Sequence, residues 1–163
     1  MCEMTNERKE NIYSKIETAL RENKLHYTKA MIRKNDDDIT NIDYVYKIEI
    51  DSKDYGFNLG QRTFYMYPLL NRSSLVFSKN NVLHSSNFGR ILQVVNNANT
   101  NLMNGCFFVE GKRVNYFSNE KIKDIEKNID KVDILEGVIN LLSALDTLNK
   151  TKEEGKNGYA ENS

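Results

Sequence analysis

Apolar positions recur every three to four residues in three stretches of the chain and every second residue in segments between them. Ile12, Ile16, Ala19 and Leu20 share one side of a helical projection of residues 7–23, with Arg, Lys and Glu filling the remaining positions. The spacing predicts an amphipathic helix. Residues 26–34, centred on Ala30-Met31-Ile32, read as a strand, and Asn35-Asp36-Asp37-Asp38 as the turn that follows, because Asn and Asp bond their own backbone. Residues 42–51 alternate strictly, with Ile42, Tyr44, Tyr46, Ile48 and Ile50 on one face and Asp43, Val45, Lys47, Glu49 and Asp51 on the other. Period two over that length predicts an antiparallel strand with one solvated face. Ser52-Lys53-Asp54 then turns the chain into a strand at 55–59, Gly60-Gln61 into another at 63–67, and residues 74–78 form a further short strand.

Beyond His84 the period returns to that of a helix. Ser85 or Ser86 supplies a cap, and Phe88, Ile91, Leu92, Val95, Ala98 and Leu102 supply the apolar stripe, which Gly105 ends. Residues 106–109 and 114–117 flank Glu110-Gly111-Lys112-Arg113 as a hairpin. Asp133 followed three positions later by Glu136 resembles a capping box, and it opens a helix striped by Ile134, Leu135, Val138, Ile139, Leu142, Leu145 and Leu148. From Lys150 onward the apolar pattern stops, so residues 150–163 read as a disordered tail and residues 1–149 as one domain. The order α-β-β-β(-β)-α-β-β-α has no regular β-α-β alternation, so it predicts an α+β fold: an antiparallel sheet of about five to six strands with helices packed on one face.

That order resembles the YbjN family, which has the fold of type III secretion chaperones. The likeness is strongest over residues 88–148. There a helix ends in Asn101-Leu102-Met103-Asn104, a strand starts at Gly105-Cys106-Phe107, Gly111 turns the chain, Val114-Asn115-Tyr116 returns it and a long apolar helix closes. The first half of the chain matches in element order alone. The resemblance implies a non-enzymatic protein-binding module that often dimerises, and it implies no active-site residues.

Composition narrows the reading. The chain has 163 residues, with 23 Lys and Arg against 23 Asp and Glu, so it is no whole-surface binder of polyanions. The balance is local rather than uniform: residues 62–118 carry Arg62, Arg72, Lys79, Arg90, Lys112 and Arg113 but only one acid, Glu110. The neutral total therefore leaves room for a local basic face formed by these side chains. No apolar run approaches the roughly 20 residues that cross a bilayer, and the polar N-terminus carries no secretory signal, so no membrane association is expected. Cys2 and Cys106 are too few for a disulfide framework, which suits a reducing cytoplasm.

The candidate chemistries fail one by one. His26 and His84 stand alone, and neither cysteine belongs to a metal-ligand spacing. Asp36-Asp37-Asp38 suggests a calcium loop, but the positions that need Gly and Glu hold Asn41 and Lys47. Asp51-Ser52-Lys53 has the D-x-K form of one nuclease superfamily, with Asp43 or Asp38 as a further carboxylate, yet the same residues make an ordinary hairpin turn. Residues 56–60 lack the spacing of a phosphate loop. The expectation is therefore no catalytic set, no metal and no cofactor.

Aromatic strands beside basic residues point instead to partner binding, because Tyr and Arg are frequent anchors at interfaces. The candidates are Tyr44, Tyr46, Arg62, Phe64, Tyr65, Tyr67, Arg72, Arg90, Lys112 and Arg113. Against this, one face of each strand must simply be core, and alternation makes at least one of residues 64–67 an exposed aromatic. The leading expectation is a protein-binding, chaperone-like or regulatory homodimer. An inhibitor or immunity protein of a phage or toxin system, blocking a nuclease or other effector by surface binding, is the alternative, and single-stranded nucleic-acid binding through the basic middle region is a third.

Overall fold

The computed structural model describes residues 4–33, 42–85, 87–129 and 133–161. Helix α1 (Asn6–Glu22) starts where the Thr5 hydroxyl accepts a hydrogen bond from the Arg8 amide at 3.3 Å. Four strands follow: β1 (His26–Arg33), β2 (Ile42–Asp51), β3 (Gln61–Leu69) and β4 (Ser74–His84). After α2 (Phe88–Thr100) come the hairpin strands β5 (Cys106–Glu110) and β6 (Arg113–Lys121), the single turn α3 (Ile125–Asn128) and α4 (Ile134–Glu161). The six strands form one antiparallel sheet in the order β1-β2-β3-β4-β6-β5, so the fold is α+β.

One face of the sheet carries the core. Tyr46, Ile48, Phe64, Met66, Leu75, Phe77, Val114 and Tyr116 are buried there against Ile12 and Ile16 of α1, Ile91, Val95 and Ala98 of α2, and Val138, Leu141 and Leu142 of α4. Removing these side chains from water at about 25 cal/mol per Å² is the main favourable term in forming the fold.

Four local expectations are corrected. Residues 55–59 are not a strand. Residues 52–55 make a 3-10 turn, and the chain then closes a loop in which the buried Ser52 hydroxyl accepts from the Leu59 amide at 2.8 Å and the Ser52 amide donates to the Gly60 carbonyl. Positive φ at Gly56 (85°) and Gly60 (71°) makes that loop possible and overrides the β-propensity of Tyr55 and Phe57. The cap of α2 is Asn87, whose Oδ1 accepts from the Arg90 amide at 3.1 Å, rather than Ser85 or Ser86. Within α2, Val94 takes an inward position, whereas Phe88 and Leu92 are exposed.

The last correction concerns the C-terminal segment. Residues 150–161 continue α4 as helix, where the lack of an apolar pattern predicts an irregular tail. The Lys150–Asp146 pair at 3.0 Å and the Thr151 hydroxyl donating to the Thr147 carbonyl at 2.8 Å support the helix where the apolar stripe ends. The turn at residues 35–38 and Cys2 lie outside the described residues.

Strand β4 runs on past residue 78 because β6 extends it, with Leu83 opposite Val114 and His84 opposite Arg113. Its pairing with β3, by contrast, covers only Tyr65–Ser78 to Leu69–Ser74. Between Lys79 and Leu83 the strand bulges, with Asn81 at a φ of 59°. The Asn115 carboxamide stabilises the bulge: its Oδ1 accepts from the Asn81 amide at 2.9 Å and its Nδ2 donates to Glu110 at 3.1 Å. The sheet therefore forks. Residues 61–63 and 79–82 diverge, and the Lys79 ammonium donates to the Thr63 carbonyl at 2.6 Å in the gap.

At the other edge, α1 is joined to the sheet by side chains four residues apart. Lys9 meets Asp43 at 3.4 Å, the Tyr13 hydroxyl accepts from the Tyr44 amide at 3.2 Å, and Glu17 accepts from both the Tyr46 hydroxyl and Lys29 at 3.1 Å. Arg21 donates to the Tyr27 hydroxyl at 3.2 Å. Burial pushes the Tyr13 hydroxyl up to about 12 from its ordinary 10.0, and burial followed by the Glu17 carboxylate pushes Tyr46 up as well.

The folded chain thus holds these protons more tightly than the unfolded chain does. Their contribution to stability is complete below pH 10.0 and is lost as pH rises through about 12. Denaturant midpoints measured across that window are expected to fall, and to fall less steeply in Tyr46→Phe. A wild-type midpoint that stays level through the window contradicts the buried network.

Candidate functional site

Because strand side chains alternate, the face of the sheet opposite the core is fixed by the same register. Thr28, Lys47, Tyr65, Ser78, Phe117 and Cys106 lie opposite one another in sequence across all six strands. In the row on one side Tyr67 faces Val76, which faces Asn119, and in the row on the other side Phe108 faces Asn115 at the hairpin. None of the described helices buries its apolar side chains on this side.

This open face is aromatic. Phe108 is 42% and Phe117 38% exposed, and Tyr65 and Tyr67 are half-buried with ring centroids 6.2 Å apart. Leu69 and Ile32 add exposed aliphatic surface at one end, where they line a hollow of about 190 Å³ with Tyr67 and Arg72. Val45 and Val76 are buried between the taller side chains, and Lys47 and Glu49 stand as a charged pair 4.0 Å apart. A flat patch of rings rimmed by polar groups binds by excluded area.

The sequence candidates separate on this geometry. Tyr65 and Tyr67 lie on the open face. Tyr46 and Phe64, expected as partner contacts, are fully buried core residues, because even-numbered positions of β2 and β3 face the helices. Tyr44 is half-buried, packed edge-on to Tyr13 at 4.9 Å with the Lys29 ammonium 4.0 Å from its ring centre.

The basic residues do not form the single face that their clustering in sequence suggests. Arg62 lies at the fork, Arg72 in the 3-10 turn at the opposite end of β3, Arg90 in the first turn of α2, and Lys112 and Arg113 at the β5–β6 turn. Antiparallel strands send residues close in sequence to opposite ends of the sheet. Phe108 and Phe117 were missed as candidates, although alternation within 106–109 and 114–117 would have placed them opposite Phe107 and Tyr116.

The D-x-K reading meets a structural role. Asp51 caps the 3-10 turn, with Oδ1 accepting from the Lys53 amide at 3.2 Å and Oδ2 paired with the Lys53 ammonium at 3.6 Å. Among the described residues no group of three or more His, Cys, Asp or Glu is placed to hold a metal. Asp36, Asp37 and Asp38 lie outside the described residues. Cys106 is a free, exposed thiol. Among the described residues no helix is long and apolar enough to cross a membrane. Comparison with protein-family models, with curated proteins and with solved structures returns no match.

Proposed function

We propose that the chain is a non-catalytic, cytoplasmic protein-binding module that docks a protein partner on the open face of its sheet, with a second copy of itself as the expected partner. The observation that carries this reading is the uncovered cross-strand patch of Tyr65, Tyr67, Phe108 and Phe117. Aromatic side chains bring large apolar area at low entropic cost and dominate interface energetics. The order of elements supports the likeness to the YbjN and secretion-chaperone fold, whose members bind proteins. An inhibitor of an effector would use the same surface. Nucleic-acid stacking is less favoured, since Arg62 lies on the core side of the sheet and Arg90 in α2, which leaves Arg113, beside the Phe108–Asn115 pair, and Lys47, opposite Tyr65, as the cations at the rings.

The test places a photo-crosslinking residue at Tyr65 or, as a control, at Ile139 on the exposed side of α4. Crosslinks at 65 and not at 139, together with a sedimentation shift from dimer to monomer in Tyr65→Lys/Phe117→Lys, are the expected result. Capture at 139 alone, or an unchanged sedimentation coefficient in a folded double variant, overturns the proposal.

A further inference from the structure

The fork in the sheet creates a site that neither the core nor the open face uses. Where β3 and β4 part, a cleft of about 380 Å³ opens, lined by residues 61–63 of β3, by Lys79, Asn81 and Val82 of β4, and by Leu145 and Leu148 of α4. Two cations enter it, Arg62 and Lys79. Among the described residues each hydrogen-bonds to a neighbouring carbonyl, Arg62 to Gln61 at 2.9 Å and Lys79 to Thr63 at 2.6 Å. Neither pairs with a carboxylate among the described residues, and no acid lines the cleft. The amides of Gln61, Asn81 and Asn149 complete the polar wall.

The surroundings carry charge of both signs: Gln61, Arg62 and Thr63 also border a second hollow with Glu49, Asp51 and Asp54, where Glu49 pairs with Lys47 and Asp51 with Lys53. Past Asn81 an adjoining hollow carries Lys112 and Arg113, and its single acid, Glu110, is bonded to Asn115. Burial and the Arg62 guanidinium both lower the Lys79 ammonium below its ordinary value. Two cations that face one cleft, neither within ion-pair distance of a carboxylate among the described residues, repel each other, and a bound anion between them would offset that repulsion.

We propose that the fork binds a small oxyanion, a phosphate or carboxylate group, between the Arg62 guanidinium and the Lys79 ammonium, with the side-chain amides as further donors. Charge-assisted hydrogen bonds to a planar guanidinium fork and a compact ammonium are the usual means of holding such groups. The bulge makes the site: by carrying β4 away from β3 it removes the ladder that would otherwise fill the gap. The inference is independent of the docking face, which lies on the other side of the sheet.

The test is calorimetric titration of the full chain with inorganic phosphate and, separately, with acetate, each against sodium chloride of matched ionic strength. Saturable one-to-one binding of phosphate or acetate is expected, and whichever anion binds assigns the group. Arg62→Gln and Lys79→Met are each expected to weaken binding by about tenfold. Arg72→Gln, at the far end of β3, leaves it unchanged. Arg62→Gln also serves where Lys79→Met fails to fold. Anion binding no stronger than that of chloride, or binding retained in a folded Arg62→Gln variant, overturns the site.

Discussion

Replacing Gly137 by alanine is expected to lower the unfolding free energy by about 2 kcal/mol, although alanine is the better helix former. Gly137 lies in the first turns of α4, directly over the ring of Phe77 on β4. A Cβ there overlaps Cε2 and Cζ of that ring and meets Cδ2 at 3.0 Å. Phe77 is 1% exposed and packs on Phe64 with ring centroids 6.3 Å apart, so the ring has no space into which to withdraw. Overpacking a rigid core costs about 1 to 3 kcal/mol and sometimes more, while alanine returns about 1 kcal/mol of helix propensity. Steric overlap wins. Chemical denaturation checks the sign, and a Phe77→Leu background is expected to relieve part of the cost, giving a coupling of about 1 kcal/mol or more. An unchanged or raised midpoint in Gly137→Ala would mean that α4 does not seat on Phe77, and α4 also floors the fork.

Gly105→Ala is expected to cost about 3 kcal/mol from two separate sources. Its φ of 77° lies in the left-handed region, where an L side chain costs about 1 to 2 kcal/mol. Its Cβ would also stand 2.5 Å from the Tyr116 hydroxyl oxygen and 2.7 Å from Cζ. Tyr116 is fully buried and packs against Phe107 with ring centroids 5.6 Å apart, so it too is held in place. In a Tyr116→Leu background the steric part should vanish and only the backbone part, about 1 to 2 kcal/mol, should remain. Equal costs in both backgrounds would show that the contact with Tyr116 carries no weight.

Much of the fold was legible because burial and backbone geometry share a period. Helix α1 was visible in Ile12, Ile16 and Leu20, β2 in the alternation from Tyr44 to Ile50, and the start of α4 in Asp133, whose Oδ1 accepts from the Glu136 amide at 3.3 Å. Features set by one side chain reaching across a loop were not. Ser52 closing on Leu59 turned an aromatic-rich segment away from strand, and Asn87 took the cap that two nearby serines could equally have supplied.

The candidate site was half legible for the same reason. Alternation required that residues 64–67 expose an aromatic face, but only the position of α1 and α4 decided that Phe64 goes inward and Tyr65 and Tyr67 outward. The fork left no trace in the chain, since it depends on Asn115 bonding Asn81, 34 residues away. Sequence alone therefore determined the element order, the α+β class and the local excess of basic residues, all properties of spacing along the chain. Tertiary structure decided which rings face water, dispersed Arg72 and Arg90, and brought Arg62 and Lys79 into one cleft. Those outcomes follow from strand register and long-range hydrogen bonds, which act between residues distant in sequence and so carry no local period.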